Sequence, residues 1–267
     1  MNKNAIIFAH RGASHLAPEN TLAAFRIARD IQATGIELDV HLSKDGTLVV
    51  IHDYELNRTA RNPDGSQLKT PVFVAAQTLK ELNNYDVGIA FGHKYAGEKI
   101  PTLKQAMDLI SPDIMLDIEI KAGLGHSYKQ LARVLADFLY EYSKSNLINK
   151  VIVSSFNPFA LRIFKSHSRR LGINVPTALL FGNLPQVPWF FKRGQGRFIH
   201  KPDIMKPLYS DIQNKKDLSG WGRAKKPILA WTVDDVDIAA DLIDKNIYGL
   251  VTNVPEIIVP QAKNMRQ

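Results

Sequence analysis

Short apolar, β-branched runs alternate with segments of helical period along the whole chain. The runs predict strands over residues 5–9, 36–42, 47–52, 114–121, 151–155, 177–181, 227–233 and 249–253. Between them, apolar positions recurring every three to four residues predict helices over 21–34, 102–110, 127–145, 158–167 and 236–244, the first opening on Thr21 as a capping residue. Such alternation implies an α/β fold in which a parallel sheet is covered by helices. A weaker strand is expected near 203–205, so a count of eight depends on how 47–52 is scored. Two segments break the rhythm. Residues 57–100 carry several glycines and one short helical pattern near 79–83, and a connection of that length is usually a functional cap or disordered. Residues 182–207 are rich in proline, aromatics and basic side chains.

The runs end in polar residues of a particular kind. Glu37 and Asp39 are two apart, so on a strand they project from one face, where a carboxylate pair can hold a hard divalent cation. His10 and Arg11 follow the first run, His52 and Asp53 the third, and Glu119 and Lys121 close the fourth. Phe156 follows the fifth, Trp231 lies on the penultimate run and Asn253 ends the last. In a barrel of parallel strands the active site is built at the C-terminal strand ends, and these residues fall there. If the strands carrying His10, Glu37, Asp39 and His52 are parallel neighbours, two imidazoles flank a cation site, an arrangement suited to acid/base chemistry on a charged ester.

Several residues admit two roles. Glu119 lies in an apolar context, and a buried carboxylate there needs a partner, with same-face Lys121 the obvious one. Asp117 shares that face as a deeper partner for Lys121 or Arg11. Glu19 and Asn20 precede the helix start and read as capping and loop bracing. Asp53 either orients His52 or shapes a turn. Phe156 and Trp231 are either rim core or an apolar wall for a small polyol. His15, His41, His93, His126, His167 and His200 have no comparable setting.

Composition adds limits. Hydrophobic residues are 45% and charged residues 22% of 267, ordinary globular usage, and that length commonly makes one barrel domain. The absence of cysteine excludes disulfides, a thiolate nucleophile and zinc-thiolate sites. A net charge of +8 draws anionic substrates or surfaces. The excess lies in scattered pairs (Arg169 with Arg170, Lys215 with Lys216, Lys225 with Lys226), not in the continuous basic face a nucleic-acid binder needs. Residues 5–9 are too short for a secretory leader and read as an internal strand, so residence in the cytoplasm is the default expectation.

With these residues in place, the chain resembles the glycerophosphodiester phosphodiesterases. The resemblance rests on HRGASHLAPENT from His10, IELDVHLSKDGTLVVIHDYELNRT from Ile36, GEKIPTL from Gly97, LDIEIK from Leu116, SSF at Ser154, WTV at Trp231 and GLVTNVP at Gly249. It implies a TIM (β/α)8 barrel over 1–267 with a small capping insertion at about 57–100. It also implies hydrolysis of a small-molecule glycerophosphodiester to glycerol 3-phosphate and an alcohol, assisted by Ca²⁺ or Mg²⁺. By position, Glu37, Asp39 and Glu119 resemble the metal ligands, His10 and His52 the acid/base pair, and Arg11 and Lys121 the phosphate contacts. Two positions depart from the family pattern: His15 stands where glycine is usual, and Asn253 where aspartate is usual, removing a charge near the base of the mouth. The same chemistry on lysophospholipids, a lysophospholipase D type activity, and a non-catalytic protein binding phosphate esters or anionic lipid are the alternatives. Intact histidines and carboxylates oppose the last. Trp189, Phe190, Phe191, Lys192 and Arg193 either cover core or a protein contact, or form an apolar tip ringed by positive charge that touches anionic membrane.

Overall fold

The computed structural model describes residues 5–110, 113–121, 127–146, 148–185, 187–212 and 226–264. Strand β1 (Ile6–His10) pairs in parallel with β2 (Gly35–Leu42), which is buried along its whole length, as a strand covered on both faces must be. β2 then turns back on itself. Strand β3 (Leu48–Val50) runs antiparallel to it, with Val40 opposite Val50 and Leu42 opposite Leu48. The turn is the Lys44-Asp45-Gly46 stretch, with Gly46 at φ 80°, the left-handed position that three-residue hairpin loops place on glycine. The run at 47–52 is therefore not a stave of the barrel, and the condition that it lie as a parallel neighbour is not met.

The remaining staves are β4 (Met115–Ile120), β5 (Val151–Ser155), β6 (Thr177–Phe181), β7 (Ile204–Pro207), β8 (Leu229–Ala230) and β9 (Gly249–Thr252). The order is β7-β6-β5-β4-β2-β1-β9-β8, every neighbouring pair parallel. Parallel bridges from Met205 to Ile228 and from Leu208 to Trp231 bring β8 back against β7 and close the barrel. The weak strand expected near 203–205 is thus real and completes the eight.

Helices α1 (Leu22–Asp30), α3 (Leu103–Leu109), α4 (Tyr128–Ser143), α5 (Pro158–Arg170) and α6 (Val236–Asp244) follow the staves, with the four-residue α2 (Leu79–Leu82) between α1 and α3. The starts of α1, α3, α5 and α6 are capped as their sequences specify: Thr21 accepts from the Ala24 amide, Thr102 and Gln105 form a capping box, and Asn157 and Asp235 accept from the first-turn amides. A last helix, α7 (Pro255–Asn264), went unpredicted because Pro260 lies inside it and breaks the helical reading. None of the helices is long and apolar enough to cross a membrane among the described residues.

Inside the barrel, Phe8, Ile152, Ala178, Ile204, Leu229 and Val251 form an apolar plug. Side chains two residues further along a strand share its face, so β1, β5, β7, β8 and β9 next present His10, Ser154, Lys206, Trp231 and Asn253 toward the mouth. The segment 57–100 is ordered around a core of its own, in which Leu56, Val74, Leu82, Val87 and Ile100 pack with Val49 and Ile51. Asp86 holds it together by accepting from the amides of Gly88, Ile89 and Gly97 at 2.7–2.9 Å. The Tyr95 hydroxyl donates to the Leu16 carbonyl at 2.6 Å, which docks this segment on the first strand-to-helix loop.

Candidate active site

The register of β2 against β4 sets Glu37 beside Asp117 and Asp39 beside Glu119. Oxygens of Glu37, Asp39 and Glu119 lie within 4.8 Å of one another, all three residues buried. Like charges that close repel, and the barrel offers little water to relieve them. Their surroundings answer with cations. Lys121 Nζ stands 2.8 Å from Glu119 and 3.2 Å from Asp39, and Arg11 Nε stands 3.3 Å from Asp39. Below them Lys206 Nζ pairs with Asp117 at 2.7 Å, both fully buried, and lies 3.3 Å from Ser154 Oγ. Asp117 thus belongs to Lys206, not to Lys121 or Arg11 as its sequence position implied.

Four buried carboxylates facing three cations leave one negative charge over, and the carboxylate that carries the strain is Glu37. Burial first, and Asp39 beside it second, push Glu37 well above the usual carboxylate range. Burial would raise Asp39 too, but Lys121 and then Arg11 hold it well below that range. A protonated Glu37 offers a cation its oxygens in exchange for one proton. Three buried oxygen donors so close fit a hard divalent cation and do not fit a thiophilic one.

The first loop is shaped to serve this cluster. Arg11 adopts φ 57°, unusual for a residue with a side chain, and its amide donates to Glu37 Oε2 at 3.1 Å. Gly12 follows at φ 81°, where an added Cβ would lie 2.8 Å from the Ala24 backbone. Asn20, expected only to brace the loop, clamps Asp39 on two sides. Its Nδ2 donates to Oδ2 at 2.8 Å and its Oδ1 accepts from the Asp39 amide at 3.3 Å. Glu19 accepts from Arg11 Nη1 and Arg58 Nη1, each at 2.9 Å, and so joins the first loop to the insertion.

Both histidines reach this rim by different routes. His10 comes up on β1, with Nε2 3.9 Å from Glu37 Oε2. His52 is carried down to it by the hairpin, the Ile51 amide donating to the Asp39 carbonyl. Asp53 orients the ring, its Oδ1 2.6 Å from His52 Nδ1, and is itself gripped by Arg58 Nε. Burial would raise Asp53, but the bonds from His52 and Arg58 hold it low. On the other side His10 Nδ1 lies 2.6 Å from Asn253 Oδ1. Burial first, then Arg11, pushes the His10 ring down to about 4, so it is neutral near pH 7. Asn253 therefore does more than remove a charge: it is the direct partner of His10. In the sequence Asn253 was legible as a strand-end residue and as a departure from the family pattern, whereas Asp234, which holds it, carried no signal at all.

Phe156 and Trp231 meet edge-on with ring centres 5.4 Å apart, and Trp231 Nε1 donates to the Lys206 carbonyl at 3.0 Å. They form one aromatic wall on the β5 and β8 side. His15 ties the first loop to α7 through Glu256 at 2.6 Å. His41 is buried, its Nε2 donating to the His52 carbonyl at 3.1 Å, and His167 pairs with Asp137 between surface helices. His126, Lys215, Lys216 and Lys225 lie outside the described residues.

The sequence profile of the glycerophosphoryl diester phosphodiesterase family matches residues 10–257. A glycerophosphodiester phosphodiesterase of Caldanaerobacter subterraneus subsp. tengcongensis is 37% identical over 256 residues, covering 95% of this chain and 96% of the relative. The putative glycerophosphodiester phosphodiesterase YhdW of Bacillus subtilis is 36% identical over 264 residues, covering 97% and 98%. Among solved structures, a phosphodiesterase of Oleispira antarctica in complex with the product sn-glycerol-3-phosphate superposes with TM-score 0.77 at 25% identity, covering 96% of each chain. A putative glycerophosphoryl diester phosphodiesterase of Silicibacter pomeroyi shares the fold at TM-score 0.83 and 22% identity, covering 99% of this chain and 95% of that one.

Proposed function

The chain belongs to the glycerophosphoryl diester phosphodiesterase family and is an enzyme of glycerophosphodiester hydrolysis, and we propose that the mouth described above performs it, releasing sn-glycerol 3-phosphate and an alcohol. The observation that carries this reading is the buried triad of Glu37, Asp39 and Glu119 with two cations and an imidazole against it. These three carboxylates would hold Ca²⁺ or Mg²⁺, which supplies positive charge for the phosphoryl oxygens and draws the diester to the cluster.

A phosphodiester resists attack because its anion repels nucleophiles and its alkoxide leaves poorly. Arg11 and Lys121 lower the first barrier as fixed cations beside the triad, in a setting shielded from water where such charges act strongly. The histidines move the protons, His10 at the nucleophile and His52 at the leaving group. His10 carries its hydrogen on Nδ1, toward the Asn253 oxygen, so Nε2 presents a lone pair to the cluster and serves as the base for the nucleophile. His52 is held through Nδ1 by the Asp53 carboxylate at 2.6 Å, and on this reading it gives the proton to the leaving oxygen. The wall of Phe156 and Trp231 covers the carbon backbone of the glycerol.

On this reading 1–267 works as one barrel domain in the cytoplasm, with 57–100 as a cap whose Arg58 anchors Asp53 and so the acid. Its surface around the mouth extends to contact with anionic membrane. Turnover of glycerophosphocholine with added Mg²⁺ or Ca²⁺, against lysophosphatidylcholine and a chelated control, tests the proposal. Metal-dependent release of glycerol 3-phosphate from glycerophosphocholine supports it. Preference for lysophosphatidylcholine would move the substrate class to lysophospholipids, and no turnover of either would leave only binding.

A further inference from the structure

The connection from β6 to β7 holds its aromatics out of the core. Trp189 is 81% exposed and Phe190 46%, with Phe191 half-buried behind them. The three rings pack on one another, Trp189 edge-on to Phe190 at 5.6 Å and Phe190 to Phe191 at 4.6 Å. Water is a poor setting for such a cluster, and exposed apolar clusters of this kind mark contact surfaces. Lys192 Nζ donates to Asn183 Oδ1 at 3.0 Å, two residues beyond the end of β6. The tip is thereby tied to the C-terminal face of the barrel, the face on which the carboxylates open. Phe159 in the first turn of α5 and Ile257 in the first turn of α7, 44% and 45% exposed, follow strand ends of the same face.

Charge identifies the occupant. Between 182 and 202 the chain has Lys192, Arg193, Arg197 and Lys201 and not one aspartate or glutamate, so this stretch carries four of the eight excess positive charges. A second copy of the chain docked tip to tip would set four positive charges against four, which opposes a symmetric dimer. An anionic bilayer meets both demands: the rings bury at the headgroup boundary and the basic side chains face its negative potential.

We propose that Trp189 and Phe190, flanked by Lys192 and Arg193, dock the mouth of the barrel on anionic lipid bilayer. The proposal rests on the catalytic reading for its purpose, since docking by this face would hold the active site against the lipid surface. Its test does not. The full chain is sedimented with vesicles of phosphatidylglycerol in phosphatidylcholine and with pure phosphatidylcholine, at low and high salt. Binding is expected to the anionic vesicles, to fall as salt rises, to drop about fivefold for Lys192→Ala and again for Arg193→Ala, and to be lost in Trp189→Ala/Phe190→Ala. That double variant should still turn over glycerophosphocholine in solution at the wild-type rate. Equal binding to neutral vesicles, no sedimentation at low salt, or a concentration-dependent dimer that the double variant abolishes would each overturn the proposal. Failure of vesicle binding with intact turnover would leave the catalytic reading standing, and vesicle binding without turnover would overturn only that reading.

Discussion

Asn253 Oδ1 lies 2.6 Å from His10 Nδ1, and the amide cannot turn over because its Nδ2 donates to Asp234 Oδ2 at 2.7 Å. Asp234 also accepts from the Asn253 amide and the Thr252 hydroxyl at 2.7 and 3.1 Å, as only a carboxylate can do on so many sides. An acceptor on one end of the amide therefore dictates an acceptor at the other, and that fixes the hydrogen of His10 on Nδ1. Nε2, the nitrogen that faces Glu37, is left free of hydrogen by a residue on the opposite edge of the ring.

It follows that Asp234→Asn should release the amide to rotate and present Nδ2 to His10, leaving the hydrogen on the wrong nitrogen. A fall in kcat of about tenfold or more with KM nearly unchanged is expected. Asn253→Leu should do the same by removing the acceptor. Steady-state kinetics on glycerophosphocholine give the split, and a change confined to KM would place Asn253 in substrate binding instead.

Loss of either imidazole should be more severe. His10→Ala and His52→Ala should each lower kcat by about 10²-fold or more while the circular dichroism spectrum stays native. His167→Ala, at a surface pair with Asp137, should leave kcat within a few-fold. A His52→Ala enzyme near wild-type rate would remove His52 from the mechanism.

Most staves and most of the cluster were legible because each stave is a short apolar run, and the polar residues that interrupt or end it, Glu37 and Asp39 on β2 and Glu119 on β4 among them, share one face. Direction was not legible. Residues 47–52 are as apolar and branched as a stave, and only the Asp45-Gly46 turn before them shows that they return antiparallel, delivering His52 from above. Partner choice was not legible either. Asp117 and Lys206 are far apart in sequence and meet only because β4 and β7 face each other across the barrel interior. The same holds for Asn20 with Asp39 and for Asp234 with Asn253, since Asn20 and Asp234 are loop residues whose local roles as turn or capping side chains hide their long-range ones.

Stability should fall in mild acid through buried neutral histidines. His200 is buried with its Nε2 2.8 Å from Thr177 Oγ1, and burial, then Lys165, pushes it from 6.5 down to about 4. Below pH 6.5 the unfolded chain takes up a proton that the native ring resists, so the stabilisation present above 6.5 is lost as pH falls through 4. The slope approaches about 1.4 kcal/mol per pH unit for each such group. Urea unfolding at about pH 7 and about pH 5 should show this decline, and His200→Gln should make it shallower. An unchanged slope in the variant would assign the decline elsewhere.

The central claim is that Glu37, Asp39 and Glu119 hold the cation on which hydrolysis depends, and calorimetric titration of the chelator-stripped enzyme with Mg²⁺ or Ca²⁺, with turnover followed in parallel, tests it most directly. One ion should bind per chain, turnover should rise with occupancy, and both should be lost in Asp39→Asn and Glu119→Gln. Full turnover in excess chelator, or undiminished binding in both variants, would contradict the claim.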